Sequence, residues 1–379
     1  DVSDPNAGSY NVYLGYQAGK AGNSNLKNVF LGYQAGLNSK NMGGTWWQGG
    51  LNVYIGNQAG LANTSGGQNI ALGDLAFSGN TTGNMNVAIG EQALMGPNTG
   101  SENVSIGKLS MGNNTSGSNN IALGSYALNA NTQGNNNISI GGGLGSNSTG
   151  NSNIGIGSGA GRFISSTSSS VAIGQLSLSW ATGANNTAVG TDALTNLTIG
   201  DGNTVVGQNA LNNQQLGSNN TAIGANSTVV NGSITYTNST AIGYGVQING
   251  SNQVRLGNAS VSEFYCQGIY AATTASATNV YVDLNGKVWR STSSKRYKTN
   301  IADLDINTSL IYKLRPVSFN SVNDGTRHFG LIAEEVAEYL PQLVEWSKAK
   351  DVIKGSTSDE LIPESVQYPI LSVLLLNEV

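Results

Sequence analysis

The chain has 379 residues, with 52 Gly, 6 Pro, 10% charged residues and a formal net charge of −4. That balance excludes a disordered polyelectrolyte, which needs few apolar residues and a high net charge, and it excludes a basic nucleic-acid groove. No run of about 18 apolar residues occurs, so no membrane-spanning helix is expected, and the single cysteine, Cys266, leaves no intrachain disulfide.

From the N-terminal end the dominant feature is a repeat. The pentapeptide Asn-Val-x-Leu/Ile-Gly recurs fifteen times, mostly 17 residues apart, with its glycine at Gly15, Gly32, Gly56, Gly73, Gly90 and onward to Gly257. Apolar residues stand at positions two and four, as in Val12 and Leu14 or Ile121 and Leu123. This alternation predicts a short strand with its apolar side buried. Glycine at position five lets the chain turn. A second short strand is expected at Gln92-Ala93-Leu94 and Asp192-Ala193-Leu194, followed by a loop of Asn, Gly, Ser and Thr. Such a unit cannot bury a core alone, whereas stacked copies bury a continuous one. The expected fold is therefore mainly β, a parallel β-roll or β-solenoid shaft over residues 1–258. At about 4.8 Å per coil the rod is roughly 70 Å long.

Asparagine recurs at position one, for example at Asn69, Asn86, Asn103 and Asn120. Stacked in register, these residues form a ladder of amides; the preference of Asn for turns is the competing account. The step from Gly32 to Gly56 is 24, so seven extra residues enter around Thr45-Trp46-Trp47-Gln48. Trp46 and Trp47 are candidates for stacking on a sugar ring or for packing between subunits. The last steps, 19 and 14, predict a change of geometry. Asn-x-Ser/Thr triplets starting at Asn63, Asn80 and Asn196 leave glycosylation open. The repeats resemble the head repeats of trimeric autotransporter adhesins. Asn86-Val87-Ala88-Ile89-Gly90 and Ser170-Val171-Ala172-Ile173-Gly174 stand nearest to that family's unit. The resemblance implies left-handed parallel β-rolls assembled as trimers, although the period here is longer than the family's.

Residues 1–258 hold 13 charged side chains and residues 259–379 hold 25. This rise in density marks a boundary. Residues 259–292 are expected to form a connector with a hairpin, Val280-Tyr281-Val282 returning as Val288-Trp289-Arg290 across Asn285-Gly286, within a three-chain β-prism. Residues 293–379 read as a small α+β domain. It should have helical turns at 311–314, an extended segment at 315–319, a helix over 330–340 stopped by Pro341, and an apolar helix from Tyr368. The chain opens on Asp1 and closes after Leu374-Leu375-Leu376, and is expected to be a segment of a longer protein.

The second region carries a series of motifs. Ser293-Ser294-Lys295-Arg296-Tyr297-Lys298-Thr299-Asn300-Ile301 is followed by Leu314-Arg315-Pro316-Val317-Ser318-Phe319 and by Phe329-Gly330-Leu331-Ile332-Ala333-Glu334-Glu335-Val336. Pro341 to Val344 and Val366-Gln367-Tyr368 complete the series. In order and type these resemble the intramolecular chaperones of phage tail spikes and fibres, the S74 peptidase family. The resemblance implies a Ser–Lys dyad, with Ser293 as nucleophile and Lys298 as base, cutting between Thr292 and Ser293. It also implies that the domain drives trimerisation and is then released. Ser294 stands where many members carry Asp. The chemistry is self-consistent: a serine hydroxyl needs a base to take its proton, and an amine serves only when neutral, a form favoured by burial or neighbouring cations such as Lys295 and Arg296.

Any enzymatic act would be a single turnover on the chain itself, with no cofactor and no metal. The expected partners are two further copies in a homotrimer and a host or cell-surface receptor, with a glycan as one candidate; no nucleic acid and no membrane insertion are expected. The expected location is a virion tail fibre or spike, or a cell surface. The alternative is a cellular trimeric adhesin or extracellular fibre that retains its chaperone uncut. The lone histidine, His328, supports no Ser-His-Asp triad or His-based zinc site and is expected to be structural or to lie on the surface. Glu334, Glu335 and Glu338 read as a solvated helix face. The seven acids of the shaft are scattered, which argues against the carboxylate pair of a polysaccharide-degrading spike.

Overall fold

Fifteen three-residue strands, from Val12–Leu14 to Val254–Leu256, stack in sequence order into one parallel sheet. The computed structural model describes residues 10–21, 27–40, 49–145, 148–164, 166–263, 280–282, 288–290, 295–322, 325–353 and 357–378. The chain divides into two units, Asp1–Cys266 and Gln267–Val379.

Each coil matches the next residue for residue, as Val87, Ala88 and Ile89 match Val104, Ser105 and Ile106. The register survives the 24-residue step, where Val29 still faces Val53. The turn glycines stack directly on one another. A Cβ on Gly107, whose φ is +127°, would lie 2.6 Å from the Gly124 carbonyl, so no other residue fits the column.

Two expectations about the coil are corrected. The strand buries position three and leaves the apolar positions two and four outward: Ala88 is wholly buried, while Val87 and Ile89 are half-buried. The reason is the narrow interior, which takes a small residue from the strand and a large one from the turn. Ala88 is accordingly matched by Leu94, Ala71 by Phe77, Ser105 by Met111 and Ala122 by Leu128, all fully buried. In the early coils the arrangement inverts. Phe30 and Tyr54 fill the strand position and Gly36 and Gly60 the turn position. Their rings stack, with centroids 5.0 Å apart for Tyr13 and Phe30 and 4.9 Å for Phe30 and Tyr54. Burial pushes the Tyr54 hydroxyl pKa up.

The second correction concerns the segment after the glycine. It is a turn in most coils, because Gln92 (φ 58°) and Leu94 (φ 51°) adopt left-handed backbone. Among the described residues a second strand forms near the end, at Thr228–Val229 and Gln247–Ile248, which pair in parallel. This is where the repeat steps become 19 and 14.

The asparagine ladder is present. Asn103 donates its backbone N–H and its Nδ2–H to Asn86 Oδ1, both at 3.0 Å, and Nδ2–H also to the Gly117 carbonyl at 2.9 Å. Asn120 repeats the pattern on Asn103. A second ladder, not expected from the sequence, runs through Asn63, Asn80, Asn98, Asn114 and Asn131, each amide donating to the one before. All five are fully buried. Asn63 and Asn80 are thus ladder rungs rather than accessible glycosylation positions, while Asn196 is exposed. A buried amide left without its partner costs about 1–3 kcal/mol, so the ladders hold coils in register as well as together.

In the second unit, strands Val280–Val282 and Val288–Arg290 pair antiparallel, as the hairpin reading expected. Val317–Asn320 pairs with Arg327–Gly330, and Val344–Lys348 with Leu361–Val366. The helices Ala333–Tyr339 and Tyr368–Glu378 and the 3-10 segment Thr308–Lys313 lie where the sequence placed them. Their fully buried core is small: Val336, Leu340, Leu343, Val344 and Leu374. Among the described residues no helix is long and apolar enough to cross a membrane.

Candidate functional site

Lys298 follows a short 3-10 turn, Lys295–Tyr297, which its backbone N–H closes on the Lys295 carbonyl at 3.2 Å. Lys295, Arg296 and Lys298 are all exposed, so a single chain presents three cations to solvent within four residues. Asn300 then takes left-handed backbone (φ 53°) and redirects the chain, a conformation Asn accepts more readily than most residues. Thr292 and Ser293, and the candidate glycan-contact residues Trp46 and Trp47, lie outside the described residues.

Downstream, the motifs that the sequence presents in series meet in space. The Arg315 guanidinium forms a two-pronged pair with Glu335, Nε lying 3.1 Å from Oε2. This joins the Leu314–Phe319 segment to the helix Ala333–Tyr339. Leu331 N–H donates to the Tyr368 hydroxyl at 2.8 Å, tying the third motif to the last. Gln367 N–H donates to the Leu343 carbonyl at 2.8 Å, tying the fourth to the last. Asn377 Nδ2 donates to the buried Thr308 hydroxyl at 3.0 Å, fastening the terminal helix to Thr308–Lys313. An open pocket of about 200 Å³ lies beside Arg315, Glu335, Leu331 and Tyr339.

Glu335 is therefore a structural partner as well as part of the solvated face, its side chain 37% exposed; Glu334 and Glu338 are exposed, as expected. No local spacing announces the pair, since its members are 20 residues apart on different elements. His328 is exposed, in contact with the Thr326 hydroxyl at 2.7 Å. No group of three or more potential metal ligands occurs among the described residues.

Residues 293–345 match the family Peptidase_S74, the chaperone of endosialidase. The match opens on Ser293, spans Lys298 and the Arg315–Glu335 pair, and stops short of the Val366-Gln367-Tyr368 motif. No curated protein matched the chain. The chain thus carries an S74 chaperone segment toward its C-terminal end, behind a parallel β-solenoid. The Arg315–Glu335 and Leu331–Tyr368 contacts join these motifs into one small fold.

Proposed function

We propose that this chain is the shaft and C-terminal end of a homotrimeric fibre that contacts a host or cell surface. Its S74 segment guides trimer formation and is then released by cleavage between Thr292 and Ser293. The observation that carries the reading is the S74 match opening on Ser293, directly behind a repetitive β-shaft.

Assembly is supported by the outward face of the shaft. Position four is aliphatic in all fifteen coils, from Leu14 through Ile106, Leu123 and Ile140 to Leu256, and many of these side chains are exposed on the single chain. Soluble monomers rarely leave a continuous apolar stripe of that length in water, and three copies about an axis would cover it. The terminal helix Tyr368–Glu378 behaves alike: Val373, Leu375 and Leu376 are exposed and only Leu374 is buried. Trp46 and Trp47 remain candidates for surface contact.

In the cleavage step Ser293 Oγ attacks the Thr292 carbonyl carbon as Lys298 takes its proton. The peptide C–N bond breaks, the amine of residue 293 leaves with a proton, and water hydrolyses the ester. Lys298 is exposed on the single chain, so assembly supplies the enclosure that a neutral amine needs. Intact-mass measurement on the expressed protein tests this. The parent is expected to split into fragments ending at Thr292 and starting at Ser293. Ser293→Ala, Lys298→Ala and Lys298→Arg stay whole, because arginine keeps its proton, while Ser294→Ala is cut. Cleavage of Ser293→Ala at the parental rate overturns the dyad. An uncut parent points instead to a fibre that retains its chaperone.

A further inference from the structure

The regular coil places an outward side chain two residues after the turn glycine, as at Gln92, Leu109, Tyr126 and Leu176, each with left-handed φ. In the two coils between Tyr126 and Leu176 glycine takes this place: Gly159 (φ 69°) two residues after Gly157, and Gly142 (φ 77°) directly after Gly141 but two before the buried Leu144, as Tyr126 stands two before the buried Leu128. Here too the repeat step shortens to 16, from Gly141 to Gly157. Two side chains are thereby missing from the wall of the shaft, which opens a notch of about 410 Å³. That volume suits a small ligand.

The surroundings of the notch have a definite chemistry. Tyr126 stands at one end, 53% exposed, and Leu176 at the other. Asn129, Ser158 and Arg162 line its sides. The Arg162 guanidinium lies 5.0 Å from the centre of the Phe163 ring, which stacks on Trp180 with centroids 4.1 Å apart. Trp180 is 52% exposed and adjoins the notch through this stack rather than lining it. No carboxylate lines the notch, and none pairs with Arg162 among the described residues. The site therefore combines exposed aromatic surface, small polar groups and an uncompensated guanidinium. Aromatic rings offer apolar area to the C–H faces of sugars, and a guanidinium holds a carboxylate by two parallel hydrogen bonds. The notch lies on the turn side of the coil, apart from the aliphatic strand stripe.

We infer that this notch, from Tyr126 to Leu176 around Arg162, binds an acidic oligosaccharide. The inference rests on the reading of the shaft as a surface-contacting fibre and names its ligand class. The probes are tetragalacturonate and neutral cellotetraose, titrated calorimetrically into the full-chain protein, with light scattering on the same sample. Tetragalacturonate is expected to bind saturably and cellotetraose at least about tenfold more weakly, the loss of one charge-assisted contact. Arg162→Gln should weaken tetragalacturonate binding by a similar factor. So should Trp180→Ala, and Tyr126→Asn, which suits the left-handed φ of 59°, with the melting temperature unchanged in each. The inference is overturned by absent saturation, by equal binding of the neutral probe, or by undiminished binding to Arg162→Gln. A chain that binds tetragalacturonate but scatters as a monomer would defeat the assembly reading and leave this site standing.

Discussion

The Phe30 ring occupies the space that a side chain at Gly36 would need: a Cβ there would lie 2.6 Å from the ring. Later coils solve the same volume in reverse, with Ala88 on the strand and Leu94 on the turn. Leu94 adopts φ 51° and Gly36 φ 61°, so the backbone at the turn position already accepts leucine. Phe30→Ala alone leaves a cavity and should cost about 3–5 kcal/mol. Gly36→Leu alone overfills the core by about 1–3 kcal/mol or more. The double variant should recover over half of the summed loss, read as thermal unfolding by circular dichroism. Strict additivity would show that the two positions do not share one volume.

Asn103 tests the ladder. Alanine there removes the acceptor used by Asn120, leaves the Asn86 Oδ1 without its side-chain donor, and leaves the Gly117 carbonyl with Asn114 as its side-chain donor. The expected cost is about 2–4 kcal/mol. Asn103→Ser should cost less, because Ser170 already serves as a rung. It donates its N–H to Asn153 Oδ1 at 3.0 Å and accepts the Asn186 N–H at 3.3 Å. Equal destabilisation by alanine and serine would refute a hydrogen-bonding role for the rung.

The aliphatic stripe yields a third test. Ile106→Lys with Ile140→Lys places two charges on the outward face without touching the interior. Light scattering should then report a smaller assembly with the β-sheet spectrum retained. Ala122→Lys, on the inward position of the intervening strand, should abolish the spectrum instead. A trimer that survives the double lysine change would remove the stripe from the interface.

Much of this architecture is legible in the amino-acid sequence, because period and register are properties of spacing. The glycine column, the Asn86–Asn103–Asn120 ladder and the order of the C-terminal motifs all follow from it. What misleads is the choice of face. Val87 and Ile89 look like core, and Ala88 between them does not. The inward residue can be small because Leu94 reaches in from the turn, a compensation between positions that no single alternation displays. The left-handed backbone at Gln92 and Leu94 is equally silent, since neither residue type favours it. At the candidate site the sequence supplies residue types and order, but the Arg315–Glu335 bond joins elements that only the tertiary fold brings side by side.

The unbroken register between Val29 and Val53 carries a consequence for how such a molecule can change over generations. The sheet aligns rungs and takes no account of how many residues separate them, so seven extra residues leave it intact. Length and decoration are thereby uncoupled. Whole coils can be gained or lost to set the reach of the rod, and new sequence can enter between any two rungs to alter what the rod touches, each without renegotiating the other.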